Sequence, residues 1–508
     1  MPEPTDITGR PTALRQVDLD RFFHPKTVVV IGASDTAGRP NTAMWRKIRA
    51  WGAASGADVM AVNPNRATVD DVACYRSVAE VPGDIDLAVI LVGDAVDMFA
   101  SLVDRAPRFA VIFGAGFAEV GEAGAALQEQ LEVLIARGTT HLLGPNTNLN
   151  AFETFREDLA GPKTALITQS GHQGRPVFEA QEMGIAMSHW APTGNEADLE
   201  FADFARYFAD QPEVGVIAAY IEGFKDGRTL QLAADHAARA GVPIVCVKVG
   251  KTDEGRSMAK SHTGHLTGSD KVTSDVFRQY GVTRVDGLDE LTDVAAMFAR
   301  TDAPAAGAGG RRNVAVYAIS GGTGAHMADL VSEAGLSLPE LTPGTQAALR
   351  ELIPGYLRVS NPVDSGGPPA MDERGRKIIQ AVVDDPEVDM VICPITGAVA
   401  SLSTPLATDL VAVAETTDKP VLVVWGSPVE DDVYRGILLA SRLPVFRTFA
   451  NCVRAAAAYF DHHEFRARHR SPFEHPVTTR SPAAAQFAGL LTPSTSLSAH
   501  ASKAALAT

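Results

Sequence analysis

The feature that most constrains this chain is a recurring alternation. Short aliphatic runs, "TVVVIG" at 27–32, "DLAVILV" at 86–92, "FAVIFG" at 109–114, "TALIT" at 164–168, "VGVIAAYI" at 214–221 and "PIVCVKV" at 243–249, are separated by amphipathic segments of helical length. A strand that is apolar at every position must be buried on both faces, and strands joined through helices form a parallel sheet covered on two sides. The expected class is α/β. "ETFREDLAGPK" at 153–163 is strand-poor, and "TDAPAAGAGGRR" at 301–312 has the composition of a linker; after it the pattern restarts with "NVAVYAIS" at 313–320, "VDMVICPI" at 388–395 and "PVLVVWG" at 420–426. These breaks predict domains over 18–150, 151–303 and 311–463, the first with a sheet of about five strands. Residues 464–508, with "RSPFEHPVTTRSP" and an Ala/Ser/Thr-rich end, are expected to be a disordered or partner-docked tail.

Composition narrows the function classes. The 508 residues are 45% apolar, with 45 Lys and Arg against 61 Asp and Glu, a net charge of −16. Without a basic block there is no footprint for nucleic acid or an anionic membrane, so small molecules or protein partners are expected. No run approaches the roughly 18 apolar residues of a membrane span, and "MPEPTDITGRPT" does not resemble a secretory leader, so a cytoplasmic protein is expected. Cys74, Cys246, Cys393 and Cys452 lack CxxC spacing and read as small buried hydrophobes rather than as metal ligands or disulfides; no metal site is expected.

Three glycine-rich turns follow apolar strands and open helices. They are "GASDTAGRPN" from Gly32, "TQSGHQG" at 168–174 and "ISGGTGAHMADL" at 319–330. In each, backbone N–H groups and a helix N-terminus can face an anion, with glycine where a side chain would block the approach. The first lacks the strict G-x-G-x-x-G of a dinucleotide fingerprint, since Gly32 is followed by Ala33, Ser34 and Asp35 and the next glycine is Gly38. Two loops on the same sheet edge, "VNPNR" at 62–66 and "GAGFAE" at 114–119, add Arg66 and further backbone. Glu222 closes the run at 214–221, and "KSHTGHLTGSD" at 260–270 places His262 and His265 among hydroxyls and glycines.

The last segment, followed by "VFRQYGVTRVDGLDEL" at 276–291, resembles the phosphohistidine loop of the nucleoside-diphosphate-forming acyl-CoA synthetases, the superfamily of succinyl-CoA synthetase and the ADP-forming acetyl-CoA synthetases. "LLGPN" at 142–146 and "NPVDSGG" at 361–367 resemble further segments of it, and the likeness covers about residues 18–460. It implies a Rossmann-like CoA-binding domain followed by two flavodoxin-like, doubly wound domains. His262 matches the phosphorylated histidine, and Glu222 inherits by position the carboxylate that orients it. Ser170, Gly171 and His172 on one side, and Gly322, Thr323 and Gly324 on the other, correspond to the helix ends that hold the phosphoryl group. Gly32, Ser34, Asp35, Thr36, Asn63, Pro64, Arg66, Ala115, Gly116 and Asn146 are the expected CoA contacts. His172 and Arg175 depart from or flank the family pattern and are the residues expected to touch the acid; His265, also a departure, is either an acid contact or, the favoured reading, an extra polar group on a solvated loop, while "GPNTNLN" lacks the thiol of the common "GPNC" version.

The implied activity is an acid–thiol ligase. A carboxylate has no usable leaving group for thiol attack, so it must first become an acyl phosphate, with His262 as phosphoryl carrier. The family loads that histidine through an ATP-grasp module, for which no segment after residue 463 is suited. A separate ATP-grasp subunit binding ATP or ADP and Mg²⁺ is expected, in a hetero-oligomer. The alternatives are a CoA-responsive regulatory protein that retains the fold without ligase activity and an NAD(P)-linked dehydrogenase; the joint presence of His262, Glu222 and both later turns weighs against the former, and the missing glycine against the latter.

Overall fold

The computed structural model describes residues 10–159, 161–263, 269–304 and 311–474, and of residues 259–263 the backbone alone. Each continuous apolar run becomes a strand buried along its length: Thr27–Ile31, Leu87–Ile90, Phe109–Ile112, Lys163–Thr168, Val214–Ile221, Ile244–Lys248, Val314–Ala318, Met390–Ile395 and Val421–Trp425. They assemble into three sheets of seven, five and five strands.

In the first sheet Thr27–Ile31 lies between Asp58–Val62 and Leu87–Ile90. In the second, Lys163–Thr168 lies between Val214–Ile221 and Met187–Pro192. In the third, Val314–Ala318 lies between Val363–Asp364 and Met390–Ile395. All of these pairs are parallel, so each glycine turn leaves the strand at which chain order reverses, the place where open α/β sheets form a crevice.

The first sheet exceeds the expected five strands because Thr68–Val69 pairs antiparallel with Val72–Tyr75 at its edge. These strands are short and only partly buried, so they lack the continuous apolar signal. One core cluster joins the first and second domains through Phe22, Phe109, Phe204 and Phe208. A second joins the second and third domains, where helix Leu288–Arg300 packs on helix Phe449–Arg468.

That last helix overruns the expected boundary at 463, and residues 469–474 fold back onto the second domain. His469 Nε2 and Ser471 Oγ both lie 2.8 Å from the Asp235 carboxylate, and Phe473 stacks on Tyr280 at 6.0 Å. The start of the expected tail is thus docked within the chain, because its aromatic and polar groups find partners there; residues 475–508 lie outside the described residues. Cys246, Cys393 and Cys452 are buried, whereas Cys74 is half-buried on Val72–Tyr75, the strand next to the sheet edge. No described helix is long and apolar enough to cross a membrane, and no cluster of potential metal ligands occurs among the described residues.

Candidate active site

The second-domain turn is enclosed from several directions. Ser170 is extended, and its side chain does not cap the nine-residue helix Gly171–Glu179, leaving the first helical N–H groups without a side-chain acceptor from the cap. Gly171 cannot be replaced in place: a Cβ there would lie 1.3 Å from Asn148 Nδ2. Asn150 Nδ2 donates to Gly171 O at 2.7 Å, and Asn148 Oδ1 in turn accepts from Asn150 N at 2.9 Å. Both asparagines come from the loop following His141–Leu143, so the first domain clasps the second at this turn. His172 is exposed at the helix start.

Glu222 is brought to the same turn through Gln169, whose Oε1 accepts from Glu222 N at 2.7 Å and Gly223 N at 3.0 Å and whose Nε2 donates to Gly223 O at 2.6 Å. On the other flank Lys248 Nζ donates to Glu222 O at 2.8 Å and Val249 O at 2.6 Å. Burial lowers the Lys248 pKa below its ordinary value. Glu222 itself is buried, at 6% exposure, which for a carboxylate demands a purpose or a partner. From the next strand end, after Ile244–Lys248, helix Asp253–Thr263 carries the backbone of His262 and lies against the first-domain turn Ala118–Val120. The His262 side chain and all of His265 lie outside the described residues.

Arg175, expected at the acid, turns back onto its own domain. Its guanidinium sits 5.2 Å from the Trp190 ring centre and 5.3 Å from that of Phe178 and pairs with Glu153 at 2.7 Å. A planar cation beside two aromatic faces and a carboxylate already has its charge and its apolar faces matched.

The first-domain residues form a second cradle at the edge of the seven-stranded sheet. Gly32 has φ +87°, and a Cβ would come 2.7 Å from Val92 Cγ1, so only glycine turns the chain here. Ser34 is buried, its hydroxyl accepting from Thr36 N at 3.2 Å rather than facing outward. Arg66 hydrogen-bonds to both Asp35 and Thr36. Asn63 Nδ2 donates to Ala33 O at 2.9 Å, fixing the second loop to the first; Pro64 and Ala115 are exposed beside it. Helix Pro40–Ser55 has no side-chain cap, and at Gly38 and Gly116, both with positive φ, a Cβ would meet nothing within 4 Å. Uncapped N–H groups, a guanidinium and open backbone suit a phosphate-bearing ligand such as CoA. Asn146 lies deeper, its Nδ2 donating to Asn195 Oδ1 at 3.1 Å; Asn195 Nδ2 reaches Glu119 Oε2 at 2.5 Å, and Glu119 Oε1 accepts from Gly116 N at 2.5 Å and Phe117 N at 3.1 Å.

The third-domain turn, with Gly322, Thr323 and Gly324, opens helix Gly321–Glu333 beneath an uncapped Ser320. Its described surroundings belong to its own sheet: a Cβ on Gly321 would come 2.9 Å from Asp364 Oδ2, and one on Gly324 3.3 Å from Pro362 Cβ.

Residues 26–148 match the model of a CoA binding domain, 161–298 that of a succinyl-CoA ligase like flavodoxin domain, and 314–456 that of a Ligase-CoA domain. The alpha subunit of ADP-forming acetate–CoA ligase II from Pyrococcus furiosus is 32% identical over 454 residues, covering 87% of this chain and 96% of that subunit. The chain belongs to the NDP-forming acyl-CoA synthetase family. ADP-forming acetate–CoA ligase I of Archaeoglobus fulgidus is 32% identical over 89% of this chain, which spans 65% of that longer relative. A dinucleotide-forming acetyl-CoA synthetase 1 from Ca. Korarchaeum cryptofilum, solved with phosphate and ADP, superposes with TM-score 0.77 at 26% identity, covering 89% of this chain and 98% of that one. As a CoA-binding synthetase chain related to alpha subunits, it has the domain sequence that the resemblance implied.

Several residues of the candidate site were not legible as such. Gln169, Asn148, Asn150, Asn195, Glu119 and Lys248 act on backbone or on one another across loops far apart in sequence. All but Asn195 stood inside quoted segments, but only for Gln169 was position next to a glycine turn an available signal.

Proposed function

We propose that the chain is the CoA-binding, phosphohistidine-bearing subunit of an ADP-forming acid–CoA ligase, working with a separate ATP-grasp subunit. The observation that carries this reading is the clasped turn: Ser170–Gly171–His172 and Glu222 are held together by Gln169, at the sheet edge from which the His262 helix departs.

A nucleotide and Mg²⁺ on the partner would supply the phosphoryl group. His262 accepts it on a ring nitrogen, while the Glu222 carboxylate orients the imidazole and balances the charge of its phosphorylated form. Uncapped N–H groups at Gly171 and His172, with those at Gly322 to Gly324 from the third domain, neutralise the phosphoryl oxygens. A carboxylate oxygen of the acid attacks phosphorus, the N–P bond breaks, and neutral His262 is regenerated with an acyl phosphate. The CoA thiolate, with its phosphates at Thr36, Asn63 and Arg66, then attacks the acyl carbon and expels inorganic phosphate. Each step runs equally in reverse.

Reversibility provides the test. Purified chain given acetyl-CoA and labelled inorganic phosphate should acquire acid-labile, base-stable label on His262, and ATP-dependent thioester formation should require the second subunit. Absence of label with intact CoA binding would favour the regulatory reading, and ATP-driven turnover by the chain alone would overturn the separate-subunit assignment.

A further inference from the structure

Gln169 stands at the switch point of the second sheet, where its side chain reaches the end of the neighbouring strand Val214–Ile221. Toward Val214–Ile221 its Oε1 accepts from Glu222 N and Gly223 N, at 2.7 and 3.0 Å, while its Nε2 donates to Gly223 O at 2.6 Å. Toward Met187–Pro192 the backbone is continuous with the sheet, Thr193 N donating to Thr168 O at 2.8 Å, and the chain runs on to Glu196. Glu196 is fully buried and holds φ at +54°, a conformation costly for a residue with a Cβ. The loop around it is seated on the first domain: Asn195 N donates to Pro145 O at 2.9 Å, Ala197 N to Gly144 O at 3.0 Å, and a Cβ on Gly194 would come 2.3 Å from Pro145 O.

We propose that Gln169 is a positioning residue for the phosphohistidine chemistry, its amide fixing the Glu222 backbone against the Ser170–Gly171 turn. The proposal rests on the role assigned to Glu222. The chemistry of the site requires an amide: two N–H groups need an acceptor while Gly223 O needs a donor, and no ionised carboxylate or aliphatic side chain supplies both. Leaving any of these buried groups unmatched would loosen the loop that carries Glu222.

The titratable groups on the loops around this turn include Glu196 and Glu200 after Met187–Pro192, Glu222, and the lysines Lys225 and Lys248, of which Lys225 Nζ donates to Glu196 O and Ala197 O at 2.9 Å and Lys248 Nζ to Glu222 O at 2.8 Å. Rates are therefore compared with wild type at each pH, so that titration common to both proteins cancels. Gln169→Glu keeps the shape and the acceptor but loses the donor until it is protonated, which burial beside Glu196 favours. Labelling of His262 from acetyl-CoA and phosphate should fall about 10- to 100-fold at pH 8, as expected for a misplaced catalytic group, and recover as pH is lowered toward 6. Gln169→Leu should be impaired throughout, and CoA affinity should stay within about twofold in both.

A wild-type rate for Gln169→Glu at pH 8, a deficit that does not vary with pH, or a parallel loss of CoA binding would overturn the positioning role. Should Gln169→Leu fail to fold, Gln169→Glu studied at both ends of the pH range still decides the matter. Glu222→Gln assayed alongside separates the two readings: if it labels normally, the role of Glu222 falls whatever Gln169 does. If it loses labelling while Gln169→Glu is undisturbed, only the positioning role falls.

Discussion

The turns at Ser170–Gly171 and Ser320–Gly321 begin alike. Each follows the strand at its sheet's switch point, each has an extended serine whose side chain leaves the helix uncapped, and each places glycine at the first helical position. Their surroundings differ. Gly171 is gripped by Asn148 and Asn150 from another domain and tied through Gln169 to Glu222, whereas Gly321 and Gly322 are exposed and meet chiefly Asp364 of their own sheet. The local pattern builds the backbone cradle in both; residues of another domain enclose the first. Asp364, a carboxylate beside a helix N-terminus, already offsets part of the positive end of the third-domain dipole.

The sharpest way to break this comparison is at the group both turns are proposed to serve. His262→Ala should abolish phosphate labelling, while His265→Ala should leave it in place; acid-labile phosphate persisting in His262→Ala would remove the shared ligand. The next effect separates the turns themselves. Gly171→Ala must displace Asn148, at an overpacking cost of about 1–3 kcal/mol, and should slow labelling by about 100-fold. Gly322→Ala meets only Ser320 Oγ at 4.0 Å and should leave thermal unfolding unchanged, so any loss of labelling there reports a group occupying the open turn. Full activity in both variants would deny either turn contact with the phosphoryl group.

The first-domain turn extends the comparison with a smaller expected effect. Arg66→Glu replaces a cation already paired with Asp35, so CoA affinity should fall by about tenfold, measured by calorimetry, with the fold intact. Unchanged affinity would move the phosphate site elsewhere.

The smallest effect concerns the enclosure of the Gly171 turn. Burial pushes the Glu196 carboxyl up to about 8, with repulsion from Glu200 adding to it. Between the ordinary range near 4.5 and pH 8 the folded chain keeps a proton that the unfolded chain has released, so stability falls as pH rises through that window. Glu196→Gln should flatten this slope in thermal unfolding between pH 5 and 8.5, by about 2–4 °C for each kcal/mol of linkage removed. An unchanged slope would show that Glu196 does not titrate there.

Legibility in the sequence followed how a residue earns its burial. Strands apolar at every position were readable. Met187–Pro192 was not, because Ser188 and His189 interrupt it; His189 is buried by aromatic neighbours, its ring 4.8 Å from Phe23, and desolvation lowers its pKa to about 4. The glycine turns and Glu222 could be placed at strand ends, but Arg175 could not be assigned a direction, since Trp190 and Glu153 approach it only after folding.

By itself the sequence determined three largely parallel sheets and the helix ends that open beside them, because hydrophobic period and glycine position act within a few residues. Only the tertiary structure decided that Asn148 closes on Gly171, that Arg66 pairs with Asp35, and that one glutamine joins the strand ends around Glu222. Those choices depend on donors and acceptors brought together from separate loops, and each buried polar group must find its complement among whatever the packed sheets place within about 3 Å.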